Sequence, residues 1–121
     1  MKRSTTTIRQ LLGCAVLAAL LAPALATASS SSNTKINRVR TGVDGRTYVN
    51  LVTPPASPSC PPGLAQEDFV FFSNTPSGRV LYAQVLTAYT TQALVDVFGD
   101  GTCYNVVLGQ WENLSSLTIH P

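Results

Sequence analysis

The sequence is poor in the side chains that acid–base and metal chemistry require. Its 121 residues include one histidine, His120, next to the last residue, and six carboxylic acids. General acid–base catalysis usually needs a histidine or a pair of carboxylates in one cleft. Asp44 and Asp100 stand beside glycines, where aspartate is favoured for turn conformation alone. The composition therefore predicts a protein that is not an enzyme, with no catalytic residue, no cofactor and no metal ion.

Long apolar runs are also scarce, and the clearest one lies near the N-terminus. Three cationic residues flank or precede an apolar or small-residue run over residues 11–21, and small-x-small sites follow that end at Ala26 and Ala28. This pattern predicts a cleavable signal peptide over residues 1–28, with the cut after Ala28 favoured over the cut after Ala26. Two alternatives stay open. One is an uncleaved membrane anchor, for which the run is marginal in length. The other is lipidation of Cys14, although most of the apolar stretch follows this cysteine instead of preceding it.

Removal of the signal peptide changes the charge of the protein. The whole chain has a formal net charge of +2, whereas the 93 residues that remain carry five cationic and six anionic side chains. A nucleic-acid-binding protein needs a clustered basic patch. Lys35, Arg38 and Arg40 do crowd one predicted strand, but a solvated strand face explains them. We therefore expect no nucleic-acid partner, and no membrane span after signal cleavage.

Two cysteines are left in the mature chain, Cys60 and Cys103. An even pair in an oxidising compartment is typical of a disulfide. A metal site is the alternative, but the chain offers too few further ligands for it. Closing a loop of roughly 43 residues would stabilise the fold by about 4 kcal/mol on the chain-entropy model. The cysteines and the signal peptide together predict a periplasmic or secreted protein.

The mature chain is predicted to hold a flexible leader, residues 29–34, and a single disulfide-bonded β-rich domain, residues 35–121. The leader is Ser-Ser-Ser-Ser-Asn-Thr, which has little to bury. Ile36–Thr41 and Arg46–Val52 are rich in β-branched residues and predict two strands. Residues 42–45, Gly-Val-Asp-Gly, predict a hairpin turn between them.

Alternation along the second strand assigns its two faces. Thr47, Val49 and Leu51 share one face, and Tyr48 lies on the other. In the first strand Ile36 and Val39 fall out of phase, which predicts a bulge or an early end.

The central part of the chain predicts a loop, a third strand and a helix. Five prolines between residues 53 and 66 forbid regular ladders and indicate a loop, which Cys60 tethers. Phe69–Phe72 is a short strand. Thr75 and Pro76 then form an N-cap and first helical position for a helix over residues 76–91. Its apolar stripe is Leu81, Val85, Ala88 and Tyr89.

The C-terminal part predicts further strands, Ala93–Phe98 and Thr102–Gln110, which Gly99-Asp100-Gly101 would join as a tight hairpin. Residues 114–119 would add a last edge strand. The resulting order is βββ-α-ββ(β). It favours a mainly β fold with one α-helix, in which the strands form a small, partly open five-stranded barrel of the oligonucleotide/oligosaccharide-binding type.

A family resemblance rests on a few short motifs. They are the Lys35-to-Gly45 segment with its Asp44-Gly45 turn, a cysteine, a helix and the Gly101-Thr102-Cys103 strand. This pattern resembles small exported bacterial proteins whose order of elements is similar to that of the B subunits of bacterial A–B toxins. Those subunits form sugar-binding pentameric rings, so the resemblance implies the fold and a homo-oligomer. It carries no sugar-contacting residue over to this sequence.

Aromatic side chains are the remaining candidates for ligand binding. Tyr48, Tyr104 and Trp111 are the candidates for facing solvent, where a ring can stack on a sugar. For Tyr104 and Trp111 the favoured interpretation is that they pack in the core or under the disulfide. Two functions therefore stay open: an exported module that binds a glycan or another exported protein, or a structural or envelope protein with no ligand.

Overall fold

The computed structural model describes residues 27–60, 67–106 and 109–121. These residues form six strands and one helix, so the fold is mainly β with a single α-helix, as predicted. In chain order the elements are β1 (Ser30–Thr34), β2 (Ile36–Thr41), β3 (Arg46–Leu51), β4 (Phe69–Phe72), α1 (Pro76–Thr91), β5 (Val95–Val106) and β6 (Gly109–Ile119).

All six strands belong to one sheet, whose order is β1-β5-β6-β4-β3-β2. Neighbouring strands are antiparallel except β4 and β6, which are parallel. The two edge strands, β1 and β2, are consecutive in the chain and only Lys35 separates them. The sheet must therefore curl until its edges meet, and β1 with β2 acts as one interrupted strand of a five-stranded arrangement.

Hydrogen bonds at the end of β3 draw the two edges of the sheet together. The Val52 N–H donates to the Lys35 carbonyl oxygen over 2.9 Å. The Thr53 N–H donates to Thr34 Oγ1 over 3.0 Å, and Ser31 Oγ donates to the Thr53 carbonyl oxygen over 2.7 Å. No ladder joins β1 to β2 or β3 within the described ranges, so the sheet stays open at this seam. This architecture agrees with the predicted partly open barrel.

The first hairpin agrees with the sequence in its turn and its faces, and β3 ends one residue before the predicted Val52. The Gly45 N–H donates to the Gly42 carbonyl oxygen over 3.1 Å, and Gly45 adopts a φ of +81°, which favours glycine. The register of β2 on β3 shifts between Ile36 and Arg38, so the predicted bulge is present. Thr47, Val49 and Leu51 are buried on one face of β3, as alternation predicts.

The helix has the predicted start and end. Thr75 Oγ1 accepts a hydrogen bond from the Gly78 N–H over 3.0 Å, and Pro76 occupies the first turn, where its missing N–H costs nothing. Gln92 ends the helix in the left-handed region with a φ of +55°. Val85 and Ala88 are fully buried, but Tyr89 is 37% exposed, so the last member of the predicted apolar stripe is not part of the buried face. The small Ala88 lets the helix approach the sheet closely at that turn.

The core lies between the inner face of the curled sheet and the helix. Its buried members are aliphatic apart from two phenylalanines: Ile36, Val49, Leu51, Phe69, Phe71, Val85, Ala88, Val95, Val97, Leu114 and Leu117. Leu81, Tyr82, Val39 and Ile119 pack against them from the margin.

The predicted hairpin at Gly99-Asp100-Gly101 is wrong. These residues lie inside β5, whose register on β6 moves from Gly99 opposite Leu114 to Cys103 opposite Glu112. Three residues of β5 therefore face one residue of β6, which makes the segment a bulge. Gly101 has a φ of +80°, and a side chain on Gly99 would collide with the Glu112 carboxylate. Local turn chemistry was identified correctly, but it bends a strand instead of reversing the chain.

The prediction that residues 29–34 form a flexible leader is also wrong. Residues 30–34 form strand β1, which pairs with β5 through Ser30 opposite Phe98 and Ser31 opposite Val97. Ser29, Ser31 and Thr34 are buried. Short hydroxyl side chains can enter this narrow seam because each finds a backbone or carboxylate partner.

The disulfide between Cys60 and Cys103 is present, with the two Cα atoms 5.6 Å apart. Residues 53–60 form no helix or strand, which agrees with the predicted proline-rich loop, and the remainder of that loop, residues 61–66, lies outside the described residues. The bond pins the loop to β5 just after the bulge. The predicted signal peptide lies almost entirely outside the described residues, which begin at Thr27.

Candidate functional site

The three candidate aromatic residues come together on the sheet face opposite the core. Tyr48 lies on β3, Tyr104 on β5 and Trp111 on β6, and they pack with Val70 of β4 into a second apolar cluster. Phe72, two residues after Val70 on the same face, extends this cluster along β4. We call the surface formed by these five side chains the aromatic face.

Ring geometry holds the aromatic face together. Tyr48 and Trp111 meet edge to face, with centroids 5.2 Å apart and ring planes at 71°. Phe72 and Tyr104 do the same at 5.3 Å and 78°. Edge-to-face contacts place the positive edge of one ring on the negative face of the other, and this attraction stabilises the arrangement of both ring pairs.

Tyr48 does not face solvent, which corrects the prediction, and Trp111 does not face solvent either, which agrees with the interpretation that it is packed. Tyr48 is 7% exposed and Trp111 is 4% exposed, whereas Tyr104 is half-buried. Alternation placed Tyr48 on the outer face correctly, but it could not show that neighbouring rings would cover it there. Trp111 is packed, but it lies in the second apolar cluster and not in the main core.

Arginines lie over the rings of the aromatic face. The Arg40 guanidinium carbon is 4.4 Å from the Tyr48 ring centroid, and that of Arg46 is 5.7 Å from the Phe72 centroid. The cause is register: Arg40 is opposite Tyr48, and Arg46 is opposite Phe72. A guanidinium over a ring face is attracted by the ring quadrupole. The sequence reasoning missed this role, although i, i+2 spacing along β2 and β3 was the available signal.

Carboxylates anchor these arginines from the side. Glu67 Oε1 lies 3.2 Å from Arg40 Nη2 and 3.3 Å from Arg38 Nη2. Asp44 Oδ2 lies 3.4 Å from Arg46 Nη1. The arginine side chains are 30–54% exposed, so these pairs contribute little to stability by themselves. They do hold charged hydrogen-bond donors at the edge of the aromatic face.

A few buried polar atoms of this region have no hydrogen-bond partner among the described residues. They are Trp111 Nε1, Arg46 Nε and Glu67 Oε2. A buried donor without an acceptor is unfavourable by about 1–3 kcal/mol. Two of the three are N–H donors: Trp111 Nε1 lies within the aromatic face, and Arg46 Nε belongs to the side chain that lies over the Phe72 ring.

A groove of about 380 Å³ adjoins the aromatic face at Phe72. It opens because the parallel ladder between β4 and β6 covers only two residue pairs, so the strands separate beyond Val70 and Asn113. The start of α1 forms its other wall. Its lining is Phe71, Phe72, Thr75, Ser77, Gly78, Leu81, Asn113, Leu114 and Ser115.

Three carboxyl groups, Asp68, Asp96 and Asp100, have altered proton affinity, and none of them is among the residues that line the groove. Burial raises the pKa of Asp68, whose Oδ2 accepts the Leu51 N–H over 2.6 Å. The Asn33 N–H and then His120 lower the pKa of Asp96. Partial burial opposes the charged form of Asp100, but hydrogen bonds from the Asn113 amide and the Thr102 N–H outweigh it and lower that pKa.

Each of these carboxyl groups has a structural role that accounts for its environment. Asp68 holds the end of β3, Asp96 holds β1, and Asp100 shapes the bulge. In the part of the chain that the structure describes, no three histidine, cysteine or carboxylate side chains converge closely enough to hold a metal ion.

A fourth carboxylate, Glu112, is buried on β6 beside the bulge of β5. It is 2% exposed, and Oε1 accepts the Ser29 N–H over 2.9 Å and the Gly101 N–H over 2.8 Å. Ser29 Oγ donates to Oε2. Strict alternation along β6, with Trp111 and Asn113 on the outer face, was the sequence signal that points this glutamate inward.

No protein-family model matches the chain, and no curated protein matches it.

Proposed function

We propose that this chain is an exported, non-enzymatic binding module that takes a glycan on its aromatic face. The observation that carries the proposal is the convergence of Tyr104 and Phe72, both half-buried, with Arg40 and Arg46 at one surface outside the core. A sugar ring stacks on aromatic faces while charged donors bind its hydroxyl or carboxylate oxygens. This combination is what such a ligand needs.

The sheet topology supports this choice of surface. When β1 and β2 are counted as one interrupted strand, β3 and β4 are the second and third strands of the barrel. Barrels of the oligonucleotide/oligosaccharide-binding type bind their ligands on the face of those strands. The aromatic face occupies that position through Tyr48, Val70 and Phe72.

Export is proposed from two features. Disulfides persist in oxidising compartments, so the Cys60–Cys103 bond is compatible with a periplasmic or secreted protein. The N-terminal pattern of the sequence is that of a cleavable signal. Among the described residues, none of the helical structure is both long enough and apolar enough to cross a membrane.

The second candidate is a structural protein without a ligand, and a specific observation favours it. Tyr48 and Trp111 are covered by their neighbours, so their rings can stack on a sugar only if the cluster rearranges. On this reading the aromatic face is a second small core that stiffens the sheet.

The test is a glycan array probed with the exported protein, together with its mass in solution. Tyr104→Ala should weaken binding of the captured glycan class by about tenfold or more, because one ring–sugar contact is worth about 1.4 kcal/mol. Tyr89→Ala is the matched control, since Tyr89 is an exposed tyrosine on the helix, and it should leave binding unchanged. A monomer that captures no glycan would favour the structural protein, and a ring-forming oligomer would support the toxin-like assembly.

A further inference from the structure

The buried Glu112 carboxylate lacks a charged partner. Its three donors are the Ser29 N–H, the Ser29 hydroxyl and the Gly101 N–H, all of which are neutral in the uncut chain. No lysine, arginine or histidine forms an ion pair with it anywhere in the described ranges. Burial of a carboxylate is costly unless it is both hydrogen-bonded and paired with a charge, and in the uncut chain Glu112 has only the hydrogen bonds.

The group best placed to supply that positive charge is the backbone nitrogen of Ser29. It lies 2.9 Å from Glu112 Oε1, and Ser29 is itself 6% exposed. The two residues before it, Thr27 and Ala28, are exposed. The bond between Ala28 and Ser29 therefore marks a sharp boundary between chain that the fold buries and chain that it does not.

We infer that cleavage of the Ala28–Ser29 bond completes the fold, because it converts the Ser29 nitrogen into an ammonium group that pairs with Glu112. This inference rests on the proposed export, since the cut would be made by the signal peptidase. Water is the co-reactant: it gives Ala28 a carboxylate and Ser29 an amine. A free α-amino group has a pKa of about 8, so it is largely protonated at neutral pH.

Contacts on the far side of Ser29 keep its nitrogen in place after the cut. The Ser29 carbonyl oxygen accepts the Gly99 N–H over 2.9 Å, and Ser30 continues into the ladder opposite Phe98. The lack of a side chain at Gly99 leaves room for the Glu112 carboxylate, which would otherwise collide there. Glycine, glutamate and serine therefore form one prepared site for an N-terminal ammonium.

The geometry also chooses between the two cleavage sites that the sequence offers. A cut after Ala26 would leave Thr27 and Ala28 in place, and the Ser29 nitrogen would remain a neutral amide. The Ser59 hydroxyl donates to the Thr27 carbonyl oxygen, and the cut after Ala28 removes this hydrogen bond. Only the cut after Ala28 supplies a charge at the carboxylate.

The experiment expresses the full-length gene in an exporting bacterial host and compares four exported proteins. They are the natural chain, Glu112→Gln, Ala28→Leu, and the double variant. Glutamine keeps the shape and the hydrogen-bonding capacity of Glu112 but not its charge. Leucine before the bond is no longer small, so the cut should move to Ala26. Intact mass gives the first residue of each protein, and thermal unfolding gives its midpoint.

The natural protein should begin at Ser29, and in it Glu112→Gln should lower the midpoint by about 10 °C or more. In the protein that begins at Thr27 the same substitution should have no effect or raise the midpoint, because it removes an unpaired buried charge. An equal effect in the two backgrounds would overturn the pairing. A natural N-terminus other than Ser29 would do the same, and an intact Met1 would contradict export as well.

Acylation of the natural protein gives a readout that needs no variant. A buried, ion-paired Ser29 amine should react at least about tenfold more slowly in the folded protein than in the urea-unfolded chain, as measured by peptide mapping after each reaction. The exposed Lys35 amine serves as the internal reference. Equal rates at Ser29 in the folded and the unfolded protein would overturn the inference even if the Glu112 or Ala28 variants fail to accumulate.

Discussion

The two faces of the sheet in this protein are packed by different means. The inner face is covered by aliphatic side chains and by the helix, and several of its residues are fully buried. The aromatic face has a smaller cluster, edge-to-face rings and arginines that remain partly in water. The inner face excludes water by close packing, whereas the outer one does so by a few large rings.

This difference indicates which face supports the fold and which is free to carry function. Close-packed aliphatic groups tolerate little change in volume or polarity. Rings and guanidinium groups at a surface can exchange some of their mutual contacts for contacts with a ligand. Stability should therefore depend mainly on the inner face, and substitutions on the outer face should be milder.

The largest effect is expected from a charge on the inner face. Val85 is fully buried on α1, so Val85→Asp should unfold the domain, because an unpaired buried charge costs several kcal/mol. Val80 is 64% exposed on the same helix, so Val80→Asp is the matched control and should change the thermal midpoint by only a few degrees. Circular dichroism melts measure both. A folded Val85→Asp protein would mean that the helix packs by another face.

Loss of the disulfide should have the next largest effect. Cys60→Ser releases the loop from β5 and restores about 4 kcal/mol of unfolded-chain entropy on the simple model, so the midpoint should fall by more than about 10 °C. The Cys60→Ser/Cys103→Ser double variant should match either single one. Thiol labelling of the unreduced native protein should find no free cysteine at these positions, and ready labelling would contradict the bond.

A moderate effect should come from the ring pair of the aromatic face. In a double-mutant cycle of Tyr48→Leu and Trp111→Leu, the coupling free energy should be about 0.5–1.5 kcal/mol, the range for edge-to-face pairs. Tyr48→Leu with Tyr89→Leu is the control cycle, and it should be additive because Tyr89 lies on the helix. Urea unfolding measures all the variants. Additivity of Tyr48 and Trp111 would show that the outer cluster is not a packed unit.

The smallest effect concerns Asp68, near the end of β3. Burial raises its pKa in the folded state above the unfolded value, so the folded protein binds that proton more tightly. The contribution of Asp68 to the free energy of unfolding is therefore greatest at low pH. It declines as the pH rises from the pKa of the unfolded state through the higher pKa of the folded state. Asp68→Asn should remove this decline, so the thermal midpoint of the variant should exceed that of the natural protein by more at pH 7 than at pH 3.

The opposite sign would be informative for Asp68. If Asp68→Asn lowers the midpoint at pH 7 but not at pH 3, the charged form is the stabilising one. Hydrogen bonds from the Leu51 N–H and the Asn50 amide would then outweigh the effect of burial.

Local signals in the sequence were sufficient for several elements. The limits of β2, β4 and α1, the Gly42–Gly45 turn and the bulge in β2 were all predicted, because each depends on residues close together in the chain. The partner of Cys60 followed from counting, since only Cys103 remained. The buried face of β3 followed from period-two alternation.

Tertiary structure decided the rest, because it depends on pairing between distant segments. Residues 30–34 become a strand only because β5 offers them a ladder, and Gly99-Asp100-Gly101 becomes a bulge only because β6 runs past it. Likewise, Tyr48 is covered by a ring that lies 63 residues away in the chain, and Glu112 meets a nitrogen 83 residues away. Alternation tells which side of a strand a residue occupies, but burial depends on what another part of the chain brings to that side.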